Sequence, residues 1–167
     1  GDSVSDLHFL RLVGFSAAPA NASPAVRQAV EYVSPQPFGD GLLDIYVLSG
    51  ATMPGLEKTL PAHANRLFRN RGAWRFEDVT ERAGVAGRGY TNGVAAADYD
   101  GDGDPDLFVA GLRQNILYKN RRDGTFEDVT TAAGLNRPDA KYKTLWSVAA
   151  AFFDYDKDGW LDLFVSN

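Results

Sequence analysis

Two short segments of the chain concentrate aspartate at regular spacing just before an apolar stretch. The first reads DYDGDGDPDLFV over residues 98–109, and the second reads DYDKDGWLDLFV over residues 154–165. Neighbouring carboxylates repel one another, and a tight turn needs only one Asp and one Gly, so this density of negative charge predicts a bound cation. Numbered from its first aspartate, each loop has Asp at positions 1, 3, 5 and 9: Asp98, Asp100, Asp102 and Asp106, and then Asp154, Asp156, Asp158 and Asp162.

Positions 6 and 7 of each loop fit the same interpretation. Gly103 and Gly159 occupy position 6, where glycine permits the sharp bend that turns alternate carboxylates toward one point. A backbone carbonyl at position 7, from Asp104 or Trp160, is predicted to complete the shell. Oxygen ligands with several carboxylates select a hard divalent cation, and flexible high coordination favours Ca²⁺ over Mg²⁺. The sequence therefore predicts two calcium sites with these ligands: Asp98, Asp100, Asp102, Asp104, Asp106, Asp154, Asp156, Asp158, Trp160 and Asp162.

Two other interpretations of the loops are weaker. A solvated Asp-Gly turn would explain one loop, but two copies with all four aspartates and the glycine favour a metal site. An EF-hand needs a bidentate Glu at position 12 and flanking helices, whereas position 12 is Val109 or Val165 and the flanks are typical of strands. In a third, degenerate copy, Gln36 and Phe38 occupy positions 1 and 3, so we expect no calcium there. The carboxylates left in that copy are Asp40 and Asp44.

The aspartate loops lie within a longer internal repeat. Residues 65–85 align without gaps to residues 115–135, and residues 93–109 align to residues 147–165 with two residues inserted. Each unit of roughly 50–60 residues contains short β-like segments bounded by Gly, Asn or Asp. Four short antiparallel strands repeated in tandem are typical of β-propeller blades. We expect the second unit to have strands at residues 94–97, 107–110, 116–119 and 125–129, with a hairpin turn at Asp-Gly.

The blocks VAAADYDGDGDPDLFV, NILYKNRRDGTFEDVT and AGV resemble the VCBS/FG-GAP repeat family, which is related to the integrin α-subunit propeller and close to the cartilage acidic protein group. The resemblance covers about residues 38–167. It implies a propeller, commonly of seven blades, with Ca²⁺ in the loop between the first two strands of a blade. It also implies secreted or surface proteins used in adhesion, recognition and matrix or envelope structure.

The repeat sets the predicted domain boundaries. Residues 38–92 are expected to form a first blade with the degenerate loop, residues 93–146 a second blade with a calcium loop, and residues 147–167 the first half of a third blade with another. The fold class is thus all-β, with about two and a half blades of a larger propeller or assembly. Residues 1–37 are poorly assigned and combine loop signals with a short helix. Because an open blade exposes strand edges, we expect further chain after the last residue or contact with other copies.

Composition and motifs argue against several functional classes. The formal net charge of −5 offers no basic footprint for nucleic acid, and no apolar run reaches the length of a membrane span. The absence of cysteine removes disulfides, thiolate zinc sites and cysteine nucleophiles. His8 and His63 have no partners at metal-ligand or catalytic spacing, and no nucleophile-elbow, P-loop or zinc-protease motif occurs.

The leading functional hypothesis is a calcium-binding, extracellular or cell-surface module that acts without catalytic residues in adhesion, recognition or scaffolding. Its expected partners are other protein chains, further copies of itself, or glycans. The alternative is a lectin or polysaccharide lyase propeller, and a third hypothesis is a subunit of a surface polymer. A lyase needs a base and a charge-neutralising group that converge in a cleft, and the sequence contains no recognisable pair of this kind.

Overall fold

A computed structural model of the chain describes residues 17–18, 24–29, 32–33, 44–135 and 146–167. The chain divides into two compact units. One comprises Gly1–Ile45 with Phe68–Asp78, and the other comprises Tyr46–Leu67 with Val79–Asn167. Near the N-terminus, strands β1 (Ala17–Ala18) and β2 (Tyr32–Val33) pair in parallel, and helix α1 (Pro24–Ala29) lies between them in sequence. This helix confirms the short helical segment expected among the first 37 residues.

The first predicted blade contains three described strands in one sheet. They are β3 (Ile45–Val47), β4 (Arg66–Asn70) and β5 (Phe76–Asp78), in that order, with a 3-10 helix at Pro61–His63 before β4. A single helical turn, α2 (Thr80–Ala83), follows β5 and ends at Gly84 with a φ of 74°. By the loop numbering, the innermost strand of this blade would end just before Gln36. Tyr32 and Val33 lie in that segment, but they form β2, which pairs with β1 and does not belong to the β3–β5 sheet.

The second predicted blade is a complete antiparallel sheet of four strands. These are β6 (Tyr90–Ala97), β7 (Asp106–Leu112), β8 (Ile116–Asn120) and β9 (Phe126–Asp128), paired in sequence order. All four predicted strands are confirmed. β6 begins earlier than its apolar segment, at Tyr90, and its pairing with β7 continues through a register shift between Thr91 and Gly93. Gly93 also permits a close approach of backbones, since a Cβ there would lie 2.5 Å from the carbonyl oxygen of Val148.

The third predicted unit contributes a two-stranded hairpin, β10 (Ala149–Phe153) and β11 (Asp162–Ser166). Its first strand packs near β6 within the same compact unit. None of the helices in the described residues is long and apolar enough to cross a membrane. The architecture is therefore an all-β array of propeller-like blades, as the repeat predicts.

Strand β7 buries apolar side chains on both faces, so residues 107–110 lie between two layers. Leu107 and Val109 belong to one cluster of buried side chains, and Phe108 and Ala110 belong to another. Because side chains alternate along a strand, these two clusters lie on opposite sides of the sheet. The first contains Leu67, Val79, Ala83, Val85, Ile116 and Tyr118, and the second receives Leu117 with Ala150, Phe152, Leu163 and Val165 from the third unit. Full burial of a side chain such as Phe108 stabilises the fold by about 1.5–3 kcal/mol.

The repeated sequence FEDVT has a structural role at the end of each outer strand. Thr130 Oγ1 accepts a hydrogen bond from the backbone N–H of Leu117 at 2.9 Å, and Thr80 Oγ1 accepts one from Leu67 at 2.9 Å. Both threonines are buried, so without these bonds the two backbone N–H groups would have no hydrogen-bond acceptor. The repeat thus preserves the hairpin that stands beside each inner pair of strands.

Candidate metal centre

The two aspartate loops connect the inner strands of their units. Residues 98–106 join β6 to β7, and the antiparallel pair Ala97 and Asp106 closes the base of the loop. Residues 154–162 join β10 to β11 above the equivalent pair, Phe153 and Asp162. Position 9 of each loop is therefore also the first residue of a strand, which ties one carboxylate to the rigid sheet.

Three carboxylates converge in each loop. One oxygen from each of Asp98, Asp100 and Asp106 lies within 4.8 Å of the others, and the same holds for Asp154, Asp156 and Asp162. These residues are positions 1, 3 and 9. The two clusters can hold a metal ion, because several closely spaced carboxylate oxygens are what a hard divalent cation requires.

The curl of each loop is built by its first aspartate. Asp98 accepts hydrogen bonds from the backbone N–H groups of Asp102 at 2.9 Å and Gly103 at 2.8 Å. Asp154 makes the equivalent bonds to Asp158 at 3.1 Å and Gly159 at 3.0 Å. Position 6 has a φ of 94° in the first loop and 91° in the second, a conformation that favours glycine. The bend predicted from the sequence is confirmed.

Position 5 faces its own backbone in both loops. Asp102 Oδ1 accepts the N–H of Asp104 at 3.1 Å, and Asp158 Oδ1 accepts the N–H of Trp160 at 2.8 Å. Neither carboxylate belongs to the converging sets. Their role as metal ligands, like that of the carbonyls of Asp104 and Trp160, stays a prediction.

The aspartates at position 9 have different surroundings in the two loops. Asp106 is fully buried, and it accepts backbone N–H bonds from Asn120 at 2.7 Å and Tyr99 at 3.2 Å. Burial raises the pKa of Asp106 above its ordinary value, and the two N–H bonds oppose that shift. Asp162 is exposed and accepts the N–H of Tyr155 at 2.9 Å.

Two basic side chains of the outer hairpin reach the first loop. The ammonium of Lys119 donates to Asp100 Oδ2 and lies 3.8 Å from Asp102 Oδ2. Arg122 lies beside positions 5 and 7, with its Nε 2.9 Å from Asp104 Oδ2. The hydrogen bond to Asp100 raises the pKa of Lys119. In the part of the chain that the structure describes, no ion pair reaches the loop at residues 154–162.

One oxygen of the first cluster has no partner. Asp100 Oδ1 is buried and makes no hydrogen bond, although the other oxygen of this carboxylate binds Lys119. A buried carboxylate oxygen without a donor is unfavourable unless a cation approaches it. The first loop therefore fits a divalent cation on a structural ground that is independent of its acidic composition.

A family model described as FG-GAP-like repeat matches residues 38–109 and 98–165. The chain belongs to the FG-GAP-like repeat family. The two matches overlap across the loop at residues 98–106, so each aspartate loop lies inside a recognised copy. The resemblance noted from the sequence motifs is thereby confirmed.

Two curated proteins share a short segment with this FG-GAP-like chain. A phosphoglycolate phosphatase of Methanothrix thermoacetophila is 44% identical over 45 residues, which cover 27% of this chain and 20% of that protein. A phosphoglycolate phosphatase of Methanothermobacter thermautotrophicus is 41% identical over 44 residues, covering 26% of this chain and 20% of that protein. The chain thus spans about a fifth of the length of these relatives.

The degenerate FG-GAP-like copy retains the hydrogen bond between the position-9 aspartate and the backbone of the outer hairpin. Asp44 Oδ1 accepts the backbone N–H of Asn70 at 2.9 Å, as Asp106 does from Asn120. Arg69 Nε lies 3.8 Å from the other oxygen of Asp44. Gln36, Phe38 and Asp40 lie outside the described residues, so the absence of calcium from this copy stays a prediction. The persistence of an aspartate at position 9 is explained without any metal.

Sequence reasoning missed Lys119 and Arg122. Both belong to the outer hairpin, whose turn is closed by a hydrogen bond from the Arg121 N–H to the Thr125 carbonyl at 3.0 Å. The alignment contained a usable signal, because Lys119 aligns with Arg69 and each is followed by an Asn. Two basic residues at equivalent positions next to the strand that begins with Asp indicate a contact with the loop.

Proposed function

We propose that this chain is a calcium-binding, non-enzymatic propeller module that serves adhesion, recognition or scaffolding outside the cell or at its surface. The observation that carries the proposal is the convergence of positions 1, 3 and 9 in two loops of the same design. Membership of the FG-GAP-like family supports the propeller context. Calcium would neutralise charges that the fold forces together, and the metal would thereby stabilise the blades.

In each loop the predicted ligands have separate tasks. The carboxylates at positions 1 and 3 bring negative charge from the curled segment, and the carboxylate at position 9 brings it from the rigid strand. Position 1 also holds the curl closed through two backbone N–H bonds, so its loss would damage both the loop and the metal site. Position 3 has no backbone role in the first loop, which makes Asp100 the better residue for removing a site without disturbing the loop.

The test is a calcium titration of the chelator-treated protein by isothermal calorimetry. We expect two sites with dissociation constants on the order of 10⁻⁴ to 10⁻³ M, the range of extracellular calcium modules. Asp100→Ala should remove the first site, and Asp156→Ala should remove the second. Asp123→Ala is the matched control, because Asp123 is an exposed aspartate that binds only its own hairpin turn. Absence of calcium binding at millimolar concentration would overturn the proposal.

A further proposal concerns the partner of the third unit. Phe108 of β7 is fully buried beneath β10 and β11, whereas the equivalent Phe164 of β11 is 58% exposed, together with Phe153. The same strand is thus covered in one copy and open in the next. We propose that another FG-GAP-like blade covers this face, because the face repeats the one that a blade already covers in the second unit.

The open face can be tested by analytical ultracentrifugation over a range of concentrations. We expect the protein to self-associate, and Phe164→Glu should abolish the association. Trp74→Glu is the control, because Trp74 is a similarly exposed aromatic residue, at 67%, in the turn between β4 and β5. A chain that stays monomeric at all concentrations would contradict association through this face.

Glycan binding is a second candidate. Trp160 and Tyr155 are exposed aromatic side chains in the second loop, where a metal and an aromatic surface would be adjacent. Binding to a glycan array that is lost in Trp160→Ala and in chelator would support a lectin. Cleavage of uronate polymers by the purified protein would instead contradict the non-enzymatic function.

A further inference from the structure

The contact between Lys119 and the first loop has a consequence for the calcium sites. Lys119 lies on β8, and its ammonium contacts Asp100 and Asp102 from the outer side of the loop. Asp100 is one of the three residues whose carboxylates converge. The ammonium of Lys119 therefore contacts the carboxylate cluster at which we propose that the metal binds.

The sheet places Lys119 there by its register. Leu107 and Tyr118 are paired across β7 and β8, so the next residue of β8 stands beside the first residue of β7, Asp106. The neighbouring Asn120 holds this arrangement, because its N–H binds the buried carboxylate of Asp106 at 2.7 Å. The backbone of Lys119 is thus fixed between two anchored residues, and only its flexible side chain can move.

We propose that Lys119 is a tethered cation that occupies part of the first loop in the absence of metal, and that it weakens the affinity of residues 98–106 for calcium. This inference rests on the proposed function. The second loop serves as an internal reference, because it has the same aspartates at positions 1, 3 and 9 and no basic side chain of the described residues pairs with them.

The physical reason is competition for one carboxylate. Calcium bound by Asp100 would repel the Lys119 ammonium, which donates to the same carboxylate. Calcium binding therefore requires the ammonium to move away from Asp100. The move is possible because a lysine side chain is long and flexible, and that of Lys119 is already 37% exposed. Glu127 lies directly opposite Lys119 in the β8–β9 pairing, and its carboxylate offers a nearby alternative.

The proposal predicts effects of opposite sign in the two states. Without metal, removal of Lys119 leaves the carboxylates of the loop uncompensated, so the fold should become less stable. With metal, the same removal ends the competition, so calcium should bind more tightly. A residue with a merely structural role would weaken both states, which makes the change in sign the diagnostic result.

The experiment uses the whole chain with one site at a time. Asp156→Ala isolates the first loop and Asp100→Ala isolates the second, and Lys119→Met is added to each. Calorimetric titration with Ca²⁺ measures affinity, and thermal melts in chelator measure the metal-free state. In the first-loop background, Lys119→Met should tighten calcium binding roughly two- to fivefold, the order expected for loss of a partly exposed charged contact. In the second-loop background it should change nothing.

Two controls separate charge from shape. Lys119→Arg keeps the positive charge and should leave the affinity of the first loop near that of the parent. Lys157→Met removes an exposed lysine that pairs with no described carboxylate and should not tighten the first loop. If both loops bind calcium but Lys119→Met leaves the first loop unchanged or weaker, the tethered cation is refuted. If neither loop of the unmodified chain binds calcium, the proposed function itself fails.

Discussion

The two aspartate loops share a sequence design but not an environment. In the first loop, Asp106 is fully buried, Asn120 donates to it, and two basic side chains stand beside the other carboxylates. In the second loop, Asp162 is exposed and the described residues supply no basic partner. In the second blade, these surroundings are supplied by the outer strands β8 and β9 and the turn between them.

This comparison separates two contributions to a metal loop. The ligands are local in sequence, and the same short motif brings three carboxylates together in both copies. The groups that pair with the loop carboxylates or fix the position-9 carboxylate come from the outer hairpin, further along the chain. The motif therefore predicts the converging carboxylates, while their charged surroundings depend on a part of the blade that the motif does not contain.

The largest expected difference between the loops concerns position 9. We expect Asp106→Asn to lower the free energy of unfolding by about 2 kcal/mol. Each oxygen of Asp106 accepts one backbone N–H, from Tyr99 or Asn120, and in asparagine one of these oxygens becomes an NH₂ group that cannot accept. Asp162→Asn should cost about 0.5 kcal/mol or less, since water can reach the exposed side chain. Urea denaturation in chelator measures both variants. Equal losses would show that the two environments are energetically equivalent.

The blade was predictable from the sequence because its information is periodic. The repeated DLFV and FEDVT blocks place β7 and the outer hairpin, and the alternation of Leu107 and Phe108 between two clusters follows from strand geometry. The converging aspartates were predictable for the same local reason. The aligned basic residues Arg69 and Lys119 indicate that a cation lies near the loop, but the carboxylate that Lys119 contacts depends on which residues of β7 and β8 are paired.

Removal of calcium should affect both loops together. At ten times the dissociation constant, each occupied site adds about 1.4 kcal/mol by mass action, so two sites contribute about 3 kcal/mol. Chelation should therefore lower the melting temperature of the unmodified chain. Asp100→Ala and Asp156→Ala should each retain part of this response. An unchanged melting curve in excess chelator, with the loops verified as metal-free, would contradict the calcium function.

The fluorescence of Trp160 provides an optical measurement of the same response, although its ring lies near both loops. The sequence predicts that its fluorescence reports the second site, because it occupies position 7 there. The structure places its ring beside the first loop as well, since a Cβ added at Gly101 would lie 3.5 Å from Trp160 Cζ3. We therefore expect Asp156→Ala to reduce the calcium response of Trp160 without abolishing it. Complete loss of the response would show that the first loop does not influence the ring.

The smallest expected effects distinguish the two bends within the loops. Position 4 is Gly101 in the first loop and Lys157 in the second, and Lys157 has a φ of 63°. This value lies in the left-handed region that a non-glycine residue can adopt at moderate cost. Position 6 has a φ above 90° in both loops, outside that region.

Gly159→Ala should therefore destabilise the metal-free protein by about 1–2 kcal/mol, purely through backbone strain, because a Cβ there would meet no atom within 4 Å. Lys157→Gly relieves a left-handed side chain but increases the freedom of the unfolded chain, and these opposing terms should leave a net change within about 0.5 kcal/mol. Urea denaturation in chelator measures both. If Lys157→Gly were clearly stabilising, strain at position 4 of the second loop would be a further difference between the loops, and if Gly159→Ala were neutral, the bend at position 6 would not depend on glycine.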